Sequence, residues 1–308
     1  MEIRTGAAKS GSPDKPVELY YEDMGDPGDP AVLLIMGLGS QLLLWRSAFC
    51  EKLAGQGLRV IRYDNRDVGL SSKSDRARSG GPMIVPMVRF WLGLRNSSDY
   101  TLEDMADDAA AILDHLDIEH AHIVGASMGG MIAQVFAARF RERTRSLAII
   151  FSSNNQRFLP PPAPRALMSI LTGPSPKSPR DVIIDNVVRV SKIIGSPDYP
   201  TPEEQVRDDA IAGYERCFYP WGVSQHFSAI VGSGSLLHYD RQITAPTVVI
   251  HGSADKLQRP AGGRAIARAI RGARLVMVRG MGHDLPEQLW DRIIGELTGN
   301  FVKAEANQ

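Results

Sequence analysis

Six short runs rich in aliphatic and β-branched residues recur along this chain, and they restrict its fold more than any other feature. They lie at 31–36 (AVLLIM), 58–63 (LRVIRY), 121–124, 146–151 (SLAIIF), 247–250 (TVVI) and 274–278 (RLVMV). A strand with one wet face alternates apolar and polar residues, whereas a nearly continuous apolar run must be covered on both sides. Residues 17–22 read as a further strand, closed by the turn sequence GDPGDP at 25–30. Helical patterns separate the runs at 101–116, 128–143 and 286–301. The first of these opens with Thr101 and, three residues on, Asp104, in the manner of a capping box. Strands alternating with helices predict an α/β fold, a mostly parallel sheet with helices on both faces.

The alternation fails once, between residues 152 and 243. This stretch holds the proline-rich segments PPPAP at 160–164 and GPSPKSP at 173–179, Pro200 and Pro202, and an amphipathic run at 181–194. It also holds the aromatic cluster Phe218, Tyr219, Trp221, His226 and Phe227. A segment of that length is too long for a loop within a compact domain. The reading is a core of residues 1–151 and 244–308, interrupted by a helical cap at 152–243 whose proline-rich pieces serve as linkers.

Charge and cysteine content exclude several function classes. Lys+Arg and Asp+Glu both number 35 in 308 residues, so no basic field exists to hold nucleic acid and no polybasic tract to hold a membrane. Cys50 and Cys217 share no short spacing, which argues against a disulfide framework or a cysteine zinc site and favours a reducing cytoplasm. No apolar stretch follows the charged first residues, so no secretory signal is expected, and no run reaches the length of a membrane span. A monomer or homodimer is expected.

The chemistry concentrates at Gly125-Ala126-Ser127-Met128-Gly129, with Gly130 beyond. The five-letter pattern G-x-S-x-G arises often by chance; its position between a strand run and a helix pattern is the informative part. Glycines allow the sharp strand-to-helix turn that lifts the Ser127 hydroxyl above a sheet edge, beside helix N-terminal amides. A serine hydroxyl needs a base to take its proton and an acid to orient that base. Of seven histidines, His283 lies in a loop just past the last strand run, at the same end of the sheet. His115, His120 and His122 lead into the turn from the wrong end. The pair His120 and His122 has no third metal ligand and reads as two edge-strand histidines, so no metal is expected. His251 ends the TVVI run and is at best an indirect supporter, while His226 and His238 lie in the insertion. Asp255 follows the same run, whereas the competing loop at 152–155 (SSNN) offers no carboxylate. The order Ser127, Asp255, His283 is the one expected of a nucleophile elbow on an α/β sheet.

Together with MGLG at 36–39, YDNRDVGLS at 63–71 and GMGHDLP at 280–286, these pieces resemble the α/β-hydrolase superfamily over nearly the whole chain. Within it, the chain looks most like bacterial serine esterases similar to the anthracycline methylesterases. The resemblance implies an α/β-hydrolase fold with an eight-stranded sheet and an inserted cap. It also implies an oxyanion hole from the backbone N–H groups of Leu38 and Met128, and no cofactor. Gly37 and Gly39 would let the backbone approach a ligand closely. Many relatives carry His-Gly in this loop, where this chain has Met36 before Gly37. Residues 65–71 are expected to buttress the site without direct chemistry from Asp64 or Asp67.

The expected reaction is hydrolysis of small to medium hydrophobic esters through an acyl-enzyme, with Trp45, Phe218, Trp221 and His226 as candidate substrate contacts. Trp45 fits core packing equally well. Serine at the elbow excludes the alkyl-ester chemistry of dehalogenases and epoxide hydrolases, which use an aspartate there. Lactonase, carbon–carbon bond hydrolase, perhydrolase, thioesterase and proline iminopeptidase chemistry stay open. The last would need an acidic anchor, and 198–215 holds Asp198, Glu203, Glu204, Asp208, Asp209 and Glu215, which read better as a solvated face. A non-catalytic small-molecule receptor is the rival from another class, disfavoured because no triad position is lost.

Overall fold

The computed structural model describes residues 1–12, 14–74, 84–94 and 96–306. Its strands are β1 (Ile3–Ser12), β2 (Lys15–Met24), β3 (Ala31–Ile35), β4 (Arg59–Tyr63), β5 (Ala121–Ala126), β6 (Thr144–Ile150), β7 (Thr247–Gly252) and β8 (Arg274–Val278). They form one eight-stranded sheet in the order β1-β2-β4-β3-β5-β6-β7-β8. β1 and β2 pair antiparallel, as do β2 and β4; every later pair is parallel.

The unbroken apolar runs follow from burial on both faces. In β3, Leu33 and Ile35 enter one core, while Val32 and Leu34 enter the other. The first core is closed by α3 (Leu102–His115), α4 (Met128–Arg139) and α10 (Pro260–Ala269). The second is closed by α1 (Ser47–Ala54) and α11 (Trp290–Glu305), while α2 (Ile84–Trp91) lies between α1 and α3 along the chain. The start of α3 is the expected capping box: the Asp104 N–H donates to Thr101 Oγ1, and the Thr101 N–H donates to Asp104 Oδ2 at 2.7 Å. The helix expected at 128–143 is shorter than its apolar pattern, ending at Arg139 before a 3-10 turn.

Two expectations need correction, and one strand of the expected eight carried no sequence signal. β1 was not anticipated, because only Ala8 of this polar edge strand is buried and no hydrophobic pattern marks it. His122 is not on an edge strand: β5 is central, and the buried ring stacks on Phe301 at 4.2 Å with Nδ1 2.8 Å from Ser146 Oγ. Burial pushes its pKa down to about 4, so it sits neutral in the core. Trp45 likewise belongs to the core, fully buried and stacked on Phe49 at 5.8 Å.

Between β6 and β7 the chain forms α5 (Pro164–Leu171), α6 (Arg180–Ile194), α7 (Glu203–Arg216), α8 (Gly222–Ser233) and α9 (Leu237–Asp240). These helices are tied firmly to the sheet layer. Arg216 pairs with the fully buried Asp64 at 2.7 Å, and Arg46 pairs with Asp209. Gln41 Nε2 donates to the carbonyls of Gly213 and Cys217. Among the described residues, no helix is long and apolar enough to cross a membrane.

Candidate active site

The turn from β5 into α4 puts Ser127 at φ 56°, ψ −122°, a conformation that costs a non-glycine residue on the order of 1–3 kcal/mol. Neighbouring groups hold it there. The Ser127 N–H donates to Ile150 O at 3.0 Å, and Ser152 Oγ donates to Ser127 O at 2.6 Å. The flanking glycines are steric necessities: a Cβ on Gly129 would collide with the Ile35 carbonyl, and one on Gly125 with the Gly129 carbonyl.

Loops after β7 and β8 carry the partners. His283 Nε2 lies 3.0 Å from Ser127 Oγ, and His283 Nδ1 lies 2.8 Å from Asp255 Oδ2. Asp255 is 2% exposed, and its Oδ1 accepts the N–H groups of Leu257 and Gln258. With both oxygens engaged, the carboxylate has one orientation, and it selects the imidazole tautomer carrying hydrogen on Nδ1. The bare Nε2 then faces the hydroxyl, the geometry in which imidazole can accept a proton from serine. Hydroxyl, imidazole and carboxylate thus meet across 156 and 28 residues of separation.

Other groups surround this arrangement and, His251 apart, carried no sequence signal. The Phe151 ring packs at 4.7 Å on the His283 ring, from a backbone at φ 36°. His251, buried behind Asp255, has Nε2 3.6 Å from Asp255 Oδ2 and donates to Gln258 O; burial lowers its pKa. The His283 loop is bound to the end of α6: the His283 N–H donates to Ile194 O, and the Gly282 N–H to Ser196 Oγ, each at 2.8 Å. Ser196 Oγ in turn donates to Asp284.

On the other side of Ser127, Gly37 approaches so closely that a Cβ there would sit 2.9 Å from Ser127 Cβ. Among the described residues, neither the Leu38 N–H nor the Met128 N–H donates to a protein acceptor. Residues 64–71 brace this loop and its surroundings. Asn65 Nδ2 donates to Met36 O at 2.9 Å, while Asp64 accepts from the amides of Leu42 and Leu70. Asp67 accepts from the Ser74 amide.

The remaining candidates differ in fate. Phe218 stacks on Tyr214 and Trp221 packs against Tyr219, both half-buried at the α7–α8 connection. His226 is fully buried and does not line a pocket: its Nδ1 accepts the Gly39 N–H at 3.0 Å, and its Nε2 is 2.7 Å from Arg66 O. Three of the acidic residues in 198–215 are committed to ion pairs, Glu203 with Lys192, Asp209 with Arg46 and Glu215 with Arg180.

A strand-to-helix serine turn above a sheet of this topology defines a class, and sequence comparison names it. Residues 30–185, just over half the chain, match the α/β hydrolase fold family, and the protein is a hydrolase belonging to it. More particularly, it is 28% identical over 290 residues to rhodomycin D methylesterase DauP of Streptomyces sp. (strain C5), covering 88% of this chain and 90% of that one. Two solved structures share the fold. They are the enol-lactonase of Burkholderia xenovorans LB400 (TM-score 0.68, 24% identity, 93% of this chain and 97% of that one) and a meta-cleavage product hydrolase of Pseudomonas fluorescens IP01 (TM-score 0.69, 22% identity, 94% and 95%).

Proposed function

We propose that this protein is a serine carboxylic ester hydrolase in which Ser127 is the nucleophile, His283 the general base and acid, and Asp255 the residue that orients it. The observation that carries the reading is the relay itself, with contacts of 3.0 Å and 2.8 Å on the two nitrogens of one ring. Ser127 attacks the ester carbonyl as His283 takes its proton. The Leu38 and Met128 amides, which have no protein acceptor among the described residues, bind the oxyanion. Each is worth roughly 2.7–4 kcal/mol to the barrier. His283 protonates the departing alcohol, then draws a proton from water, and the resulting hydroxide equivalent releases the acid and restores Ser127.

The likeness to a methylesterase supports an ester over other acyl substrates. The ion-paired acidic residues of α7 argue against an anchor for a peptide amine. The helical segment acts as a roof over the acyl site, with the half-buried Phe218 and Trp221 offering apolar surface to the substrate. Ser127→Ala should lower hydrolysis of p-nitrophenyl butyrate by at least about 10³-fold and abolish labelling by a fluorophosphonate. Parental turnover in that variant would end the proposal.

A further inference from the structure

The amide proposed to receive the oxyanion lies in a loop that glycine makes soft. Gly37 cannot carry a side chain beside Ser127, and Gly39 sits at φ 64° with no room for a Cβ, which would fall 2.6 Å from Val223 Cγ2. A donor that swings gives up the advantage of an oriented dipole, so something outside the loop must hold it still. Three peptide units bear on the Leu38 N–H. The one before it is held through Met36 O by Asn65. Its own carbonyl, Gly37 O, accepts the Ser40 N–H at 3.2 Å. The one after it is held through the Gly39 N–H by His226.

His226 stands on α8, in the helical segment, 187 residues from Gly39. Its two nitrogens do opposite jobs. Nε2–H donates to the Arg66 carbonyl, which assigns the proton to Nε2 and leaves Nδ1 bare to accept from Gly39. Only the neutral ring can do both. Burial holds the pKa below its ordinary value and keeps the ring in that form. Arg66 adjoins Asn65, so the imidazole spans the two loops that frame the oxyanion site.

Resting on the hydrolase reading above, we infer that His226 is a positioning residue: it fixes the Leu38–Gly39 peptide from the helical segment, so that the oxyanion hole is complete only when α8 is docked. It touches no substrate. Its contribution belongs to the transition state, where the oxyanion forms, and not to substrate capture.

Three variants test this with a small acetate ester, which needs little from the roof. His226→Phe keeps a ring but loses both hydrogen bonds. His226→Asn keeps an acceptor near the Nδ1 position, and His226→Gln keeps a donor near the Nε2 position. Phe and Gln should lower kcat by about tenfold or more, with KM within about threefold of the parent, while Asn recovers most of the loss. Affinity for a trifluoromethyl ketone, whose adduct carries the oxyanion, should fall in the same order. Parental kcat in the Phe variant, loss confined to KM, or Gln matching or exceeding Asn would overturn the inference. Should the Phe variant not fold, the order of Asn and Gln still decides. Failure of the parent reading looks different: Ser127 in the unmodified protein would not react with a fluorophosphonate at all.

Discussion

Asp240 offers a test of the physical argument away from the reaction. Its side chain is fully buried at the end of α9, where Oδ2 accepts from Asn154 Nδ2 at 2.7 Å. Asp240 Oδ1 and Asn154 Oδ1 have no partner among the described residues, so the pair has too many acceptors and lacks one donor. A proton on Asp240 supplies it. Burial accordingly pushes this carboxyl up to about 7 from an ordinary value of 3.8, opposed by the Asn154 hydrogen bond. Because the folded pKa is the higher one, the favourable contribution is complete below pH 4 and is lost as pH rises toward 7. The difference is about 3 pKa units, equivalent to about 4 kcal/mol at most. Asp240→Asn carries its own donor and does not ionise. In urea unfolding, the stability of the variant relative to the parent should rise by about 2–3 kcal/mol between pH 5 and pH 8. A difference between the two proteins that stays flat across that range would refute the assignment of a buried neutral acid.

Two further predictions concern the machinery around Ser127. Asp255→Asn leaves the shape of the site intact but removes the charge that selects the His283 tautomer, so kcat should fall by roughly 10⁴-fold while the fold melts at a similar temperature. Equal kcat would show that Asp255 is not the orienting acid. Ser196→Ala deprives the Gly282 N–H and the half-buried Asp284 carboxyl of the hydroxyl they share, which should cost about 1–3 kcal/mol of stability. It should also slow fluorophosphonate labelling of Ser127 by loosening the His283 loop; an unchanged labelling rate would show that the Ser196 hydroxyl does not hold that loop.

What could be read from the residues was whatever burial or backbone sterics forces into the side chains. β3 is buried on both faces, and its five residues are all apolar. The serine turn needs glycine at 125 and 129 because carbonyl oxygens occupy the space a Cβ would take. Asp255 and His283 were legible because each follows a strand at the same sheet end. β1 escaped notice because an edge strand with one buried residue needs no apolar pattern. Trp45 was ambiguous because an indole beside a glycine loop suits either a pocket wall or a core, and contact with Phe49 decides for the core. His226 was misread as a substrate contact for a related reason. Its partners are a backbone amide and a backbone carbonyl, which leave no trace in residue identity.

The helical segment meets the sheet layer through main-chain groups on both flanks of Ser127. Ile194 O and Ser196 hold the loop bearing His283, and His226 holds the loop bearing Leu38. A chimera that imported a foreign segment between β6 and β7 would therefore exchange the helices and lose these fastenings together. Recombination to redirect selectivity would have to retain Ile194–Ser196 geometry and an imidazole at 226, or rebuild their equivalents, before any change in substrate choice could be observed.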